Sequence, residues 1–179
     1  MSTFKAIKED LRFLKDRFSV SYPAAILSNR GFHALLFYRI SNSLYKKRIP
    51  LIPLVLTRIT QVFYAIDIDY KATVEGGIII IHGVGIVIGQ GVVVASKNII
   101  YHGVTLGRKK QILEMTADDG FPNIQSNCVL GAGAKLIGNI TVGANSVIGP
   151  NVVLLQNVPF NSIVKCPDPI ISQKNLTIK

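Results

Sequence analysis

The sequence predicts a mainly β fold: a left-handed parallel β-helix of hexapeptide repeats behind an N-terminal α-helical region. Three observations predict it. Aliphatic residues recur every sixth position through the second half of the chain. The first sixty residues instead show helical spacing punctuated by prolines. Fifteen glycines, abundant Val and Ile and no tryptophan suit short strands joined by tight turns.

Residues 4–18 read as a helix, with Phe4, Ile7, Leu11, Phe13, Leu14 and Phe18 at three- and four-residue steps. Tyr22-Pro23 is expected to break it. A second helix fits 29–46, with Phe32, Leu35, Leu36, Ile40 and Leu44 on one side. Pro50 and Pro53 punctuate again, and a third, short helix fits 54–65. Residues 1–65 are therefore expected to form the N-terminal helical region.

From residue 66 the rhythm changes. Ile68, Val74, Ile80, Ile86, Val92 and Val104 fall in one six-residue phase, broken only by Asn98, and a second run takes in Ile124, Leu130, Leu136, Val142, Ile148 and Leu154. Small residues often stand four beyond these anchors, as at Ala72, Ser96, Ala134 and Ser146. Each hexad supplies one strand and one turn, three close a coil, and the aliphatic anchors stack inside. This repeat domain is placed at 66–160, with 161–179 as a C-terminal tail. Between the runs the phase slips by two, and 107–123 lacks the pattern, so a loop is extruded there, where function concentrates.

Composition narrows the classes. Apolar residues make up 49% and charged ones 17%, as in a globular protein. Cys128 and Cys166 give no disulfide framework and no metal-knuckle spacing, which suits a reducing compartment. The N-terminus lacks the apolar stretch of a signal peptide. The longest apolar stretch, 49–68, is interrupted by Pro50, Pro53, Arg58 and Gln61. The expected location is the cytoplasm. The net charge of +10 is concentrated in residues 1–62, which hold 11 Lys/Arg against three acids. That basic front end is a candidate contact for the inner membrane surface or a phosphorylated ligand, with a solvated helical face as the plain alternative. No nucleic-acid-binding module is visible.

The segments DIDYKATVEGGIIIIHGVGIVIG, HGVTLG and VLGAGAKLIGNITVGANSVIGPNVVLLQNVP, with the helical GFHALLFYRIS, carry a resemblance. Together they resemble the serine acetyltransferase-like branch of the hexapeptide acyltransferases. The HGVTLG stretch and short helical region also look like the colanic-acid and capsule acetyltransferases of that branch. The resemblance implies an acetyl-CoA-dependent O-acetyltransferase in which His82 is the catalytic base and Asp67, fifteen positions earlier, its carboxylate partner. A carboxylate on one imidazole nitrogen fixes the tautomer and strengthens the other as a base. A backbone N–H near Gly83 or Gly85 is the expected oxyanion donor. The resemblance also places coenzyme A between neighbouring subunits of a homotrimer. Gly107, Ala132 and Pro150 match its backbone contacts, and Lys135 or Lys165 is available to a phosphate. No metal is expected.

The acceptor is read from departures. Where serine acetyltransferases carry an aspartate before the histidine, this chain has Ile81, and the loop closes with Phe121-Pro122 in place of Arg-His-Pro. Asp16 matches a helical aspartate but is followed by Arg17-Phe18. A zwitterion left without charged partners loses several kcal/mol, so a saccharide acceptor is preferred and serine kept as the alternative. His102 either lines the acceptor pocket or caps a turn, and His33 is read as structural. Three readings of other kinds remain: a non-catalytic scaffold, a sugar-nucleotide-dependent relative, and a zinc enzyme, for which the repeat domain offers only His82 and His102.

Overall fold

The computed structural model describes residues 2–109 and 120–171 of the 179-residue chain. Four helices come first. α1 (Thr3–Phe18) is capped by Ser2, whose hydroxyl accepts from the Lys5 amide. Its buried residues are Ala6, Asp10 and Leu14, a stripe at four-residue spacing. Phe4 and Phe18, expected on the apolar side, face solvent instead.

α2 (Tyr22–Ser28) begins where a break was expected. Pro23 lies in its first turn, where a missing N–H costs nothing, and Ser21 caps it. α1 has already ended at Phe18, with Ser19 in a left-handed conformation, so Tyr22-Pro23 starts a helix and does not break one. Asn29 caps α3 (Arg30–Lys46) through the Phe32 amide. On α3 the buried set includes Tyr38, Arg39 and Ser41, while Ile40 is exposed. α4 (Ile52–Tyr64) packs against α3 and ends at Ala65 in a left-handed conformation.

The remainder is a coil of parallel strands on three faces. The first face stacks β1 (Ile66–Ile68), β4 (Ile86–Ile88), β7 (Thr105–Gly107), β10 (Lys135–Ile137) and β13 (Val153–Leu154). The second stacks β2 (Thr73–Val74), β5 (Val93–Val94), β8 (Asn123–Ile124) and β11 (Thr141–Val142). The third stacks β3 (Ile79–Ile81), β6 (Ile99–Tyr101), β9 (Val129–Leu130), β12 (Val147–Ile148) and β14 (Ile163–Val164). This is the parallel β-helix that the six-residue period predicts. β14 falls within 161–179, and most of the extruded segment, 110–119, lies outside the described residues.

All twelve aliphatic anchors are buried, and each such side chain removed from water is worth about 1.5–3 kcal/mol. Asn98, the exception in the phase, is buried too. Its amide donates to the Ala95 carbonyl and its oxygen accepts from the Cys128 amide of the next coil, so the polar side chain is satisfied.

The register relocates the phase slip. Ile68 lies opposite Ile88, Val74 opposite Val94 and Ile80 opposite Ile100, twenty residues apart. Below them Ile88 meets Leu106, and Leu106 to Ile124 stays in phase across the extruded segment. β1 and β4 turn two residues inward, i and i+2, and Val92 and Val94 are both buried in the same way, which hid the change. The two extra residues lie between Ile80 and Ile88, not between 104 and 124 as the sequence suggested. The last coil compensates: Val147 lies opposite Ile163, sixteen residues on.

Candidate active site

The two-residue excess falls at the corner joining the third face to the first, and that corner carries His82. Tyr101 is the register partner of Ile81, and the Gly103 amide donates to Val84, which leaves His82 and Gly83 as the added pair. The Gly83 amide donates back to the Ile81 carbonyl at 2.8 Å, closing a three-residue turn centred on His82 at φ +63°. A non-glycine residue held there is strained, and such strain persists where the surroundings over-determine it. Here Gly83, at φ +79°, fixes it: a Cβ would stand 2.5 Å from Ile66 Cδ1. The result is an exposed imidazole standing off the edge of the coil.

Below His82 the corner is a column of left-handed residues, Gly85, Gly103, Gly133 and Asn151, each tied by its amide to the coil above. Gly85 donates to Ala65, so the end of α4 sits directly on this edge. Cβ atoms at Gly85 and Gly103 would lie 3.5 and 3.4 Å from the next glycine, leaving a narrow, smooth edge. His102 stands one coil down, its ring 5.8 Å from that of His82 between centroids and edge-on at 65°. Its carbonyl accepts from Gly133, and that of Ala132 from Asn151. His102, Ala132 and Pro150 therefore follow His82 down one edge.

The flanks are basic. Lys135, on β10, is exposed on the first face, and its ammonium donates to the Gly133 carbonyl at 3.2 Å. Lys165 follows β14, its Cα 3.5 Å from where a Gly149 Cβ would stand. Small residues along the column and a cation on each side are what an extended, phosphate-bearing ligand needs.

Other expected site residues lie elsewhere. Asp67 is on the outward side of β1, two residues past the α4 cap, and among the described residues it forms no hydrogen bond or ion pair with His82. Ile81 packs into a cluster with Leu14, Ala25, Ile79 and Ile99 between coil and helices. Phe121 and Gly107 lie at the far end of the first face. There the Phe121 ring covers Gly91 and stacks under the Arg108 guanidinium at 4.8 Å. Asp16 is at the far end of the third face, exposed, 3.5 Å from Arg12, in a cleft of about 410 Å³ with Gly77 and Lys97. The Gly83 and Gly85 amides are committed to Ile81 and Ala65, so neither is available to an oxyanion.

His33 is structural, as read: its Nε2 donates to the Ile26 carbonyl at 2.7 Å and its Nδ1 accepts from the Tyr64 hydroxyl at 3.3 Å, joining α2, α3 and α4. Asp10 was not singled out, yet it is the buried acid that joins helices to coil. Its signal was an aspartate in the α1 stripe otherwise made of Ala6 and Leu14. Among the described residues no three His, Cys, Asp or Glu side chains are placed to hold a metal ion. Nor is any helix among them long and apolar enough to cross a membrane.

Residues 121–156 match the model of the bacterial transferase hexapeptide (six repeats) family. Over 98% of its length the chain is 34% identical to the serine acetyltransferase of Synechococcus elongatus, covering 71% of that protein. The chain belongs to the serine acetyltransferase family. It is thus an acyltransferase of the hexapeptide-repeat kind. Serine acetyltransferase of Bacillus subtilis is 31% identical over 98% of this chain and 81% of its own length. For serine acetyltransferase 2 of Arabidopsis thaliana the figure is 38%, but the chain spans only 49% of that protein. A solved serine acetyltransferase in complex with cysteine superposes with a TM-score of 0.84 at 32% identity, over 96% of this chain and 70% of that one. That of Neisseria gonorrhoeae in complex with serine gives 0.83 at 29%, over 93% and 68%. These relatives are serine acetyltransferases, not colanic-acid or capsule enzymes, so the leaning towards a saccharide branch finds no support among them.

Proposed function

We propose that this chain transfers the acetyl group of acetyl-CoA to the hydroxyl of serine, with His82 as general base. The observation that carries the reading is the inserted corner: a strained, exposed histidine at the head of a column of small residues, in a chain alike to serine acetyltransferases almost throughout. His82 takes the hydroxyl proton as the oxygen bonds to the acetyl carbon, and returns it to sulfur as the C–S bond breaks. Asp67, one coil turn away, orients the imidazole once substrate is bound; catalytic hydrogen bonds are often open in the free enzyme. Ala132 and Pro150 border the donor with backbone groups, and Lys135 and Lys165 meet its phosphates.

The donor groove is completed by a neighbouring copy in a homotrimer. Supporting this, Val87, Val153, Val147 and Ile163 leave apolar side chains exposed on the first and third faces. Phe121, Gly107 and Asp16, each at the far end of a face, then come to His82 from a neighbour.

One observation favours a second reading, a saccharide acceptor. Ile81 is packed under the helices, so the position before His82 offers no carboxylate to an ammonium group. Thiol release from acetyl-CoA with L-serine and a saccharide panel, beside His82→Ala, tests both. Serine-dependent turnover lost in the variant supports the proposal. Turnover with saccharides alone replaces serine by the second reading, and full activity of His82→Ala removes the mechanism.

A further inference from the structure

α4 is built inside out. The residues it buries are Pro53, Thr57 and Thr60, while Leu51, Ile52, Leu54, Val55, Val62 and Phe63 face solvent. The threonine hydroxyls are satisfied within the helix, Thr57 on the Pro53 carbonyl at 3.1 Å and Thr60 on that of Thr57 at 2.8 Å. Val62 and Phe63 are 79% and 74% exposed, values at which apolar side chains gain nothing from the fold. Among the described residues nothing covers this face.

The charge around it selects the surface. From residue 17 to residue 66 there is no Asp or Glu, against seven Lys and Arg. Arg39 is consumed by Asp10, but Lys46, Lys47, Arg48 and Arg58 are exposed next to the apolar face. At the start of α4 an open cleft of about 670 Å³ is lined by Lys46, Arg48 and Lys71 with Tyr45, Tyr70 and Leu51, and no acid lines it. The two tyrosine rings lie 5.3 Å apart at its wall. Apolar side chains flanked by cations and aromatic rings are the composition of an interfacial helix: the first enter the acyl boundary, the second meet lipid phosphates.

We propose that the α4 face docks this protein on an anionic phospholipid bilayer, with the cleft taking a lipid phosphate. The inference does not depend on which acceptor the enzyme uses. The full-length protein is sedimented with vesicles of phosphatidylglycerol and phosphatidylcholine in equal parts, and with vesicles of phosphatidylcholine alone. Binding is expected only to the first, weakening as salt rises. Val55→Ser/Val62→Ser/Phe63→Ser and Lys46→Glu/Arg48→Glu, all at exposed positions, are each expected to lose roughly tenfold or more in partitioning. Thiol release in solution stays at the wild-type level in both. Equal partitioning to both vesicle types, none to either, or variants that bind like wild type would overturn the proposal. So would a fall in molar mass of the serine variant by light scattering, which would assign the face to a second copy of the chain.

Discussion

Asp10 and Arg39 form a doubly hydrogen-bonded ion pair in the seam between helices and coil, Nε to Oδ2 at 2.9 Å and Nη2 to Oδ1 at 3.0 Å. Neither end is spare. Asp10 also accepts the Ile78 amide at 2.9 Å, and Arg39 donates to the carbonyls of Val74 and Glu75. Two helices are thus fastened to the turn that precedes β3. Asp10→Ala leaves the guanidinium buried and unpaired and is expected to cost about 3–5 kcal/mol in urea unfolding. Replacing both residues by Leu and Met is not expected to restore stability, because the amide and two carbonyls lose their partners.

Gly31 tests how closely α3 lies on the coil. In an exposed helix Gly→Ala stabilises by about 1 kcal/mol. Here a Cβ would meet the Ile80 carbonyl oxygen at 2.3 Å and Ile80 Cβ at 2.8 Å. Gly31→Ala is expected to lower the thermal midpoint, with a cost of about 1–3 kcal/mol from overpacking.

The turn at His82 separates strain from chemistry. At φ +63° glycine is relieved where alanine is not. His82→Gly is expected to be at least as stable as His82→Ala, by up to about 1 kcal/mol. Both should lose roughly 10²–10⁴-fold in acetyl transfer. Parallel melting curves and thiol-release rates check this, and a glycine variant markedly less stable than the alanine one would count against the strained turn.

Burial pushes the Cys128 thiol above its ordinary value, and that of the Tyr38 hydroxyl likewise. The folded state then keeps protons that the unfolded chain gives up. Stability is expected to fall as pH rises from the ordinary thiol value through the raised one. In thiol labelling of the native protein Cys166, which is exposed, reacts at once, and Cys128 only at the rate of unfolding. Rapid modification of both would mean that the coil opens locally.

The coil was legible because six-residue spacing records which side chains point inward, and every anchor named from the sequence is buried. The misplaced phase slip had the same source. A strand that buries both i and i+2 reads in phase from either, so Ile86 and Val92 masked a shift that only the pairing of Ile68 with Ile88 exposes. His82, His102, Ala132 and Pro150 were named by resemblance; that they share one edge was not read from the sequence and follows from the coil register. Asp16 and Phe121 were assigned by analogy, and the chain folds them to other edges. Asp10 escaped because sequence alone does not say which cation, 29 residues on, will meet a buried acid. α2 escaped because Pro was read as a stop where Ser21 makes it a start.

In the language of crystals, the corner at His82 is a dislocation in a one-dimensional lattice. Two surplus residues enter at the first coil and two are missing from the last, so the stack between keeps its period. Exchanging side chains neither creates nor heals such a defect; only insertion or deletion does. The histidine's address on the coil is therefore locked by chain length, whatever side chain stands at Ile81. Shortening that corner by two would yield a more regular solenoid with its projecting imidazole gone.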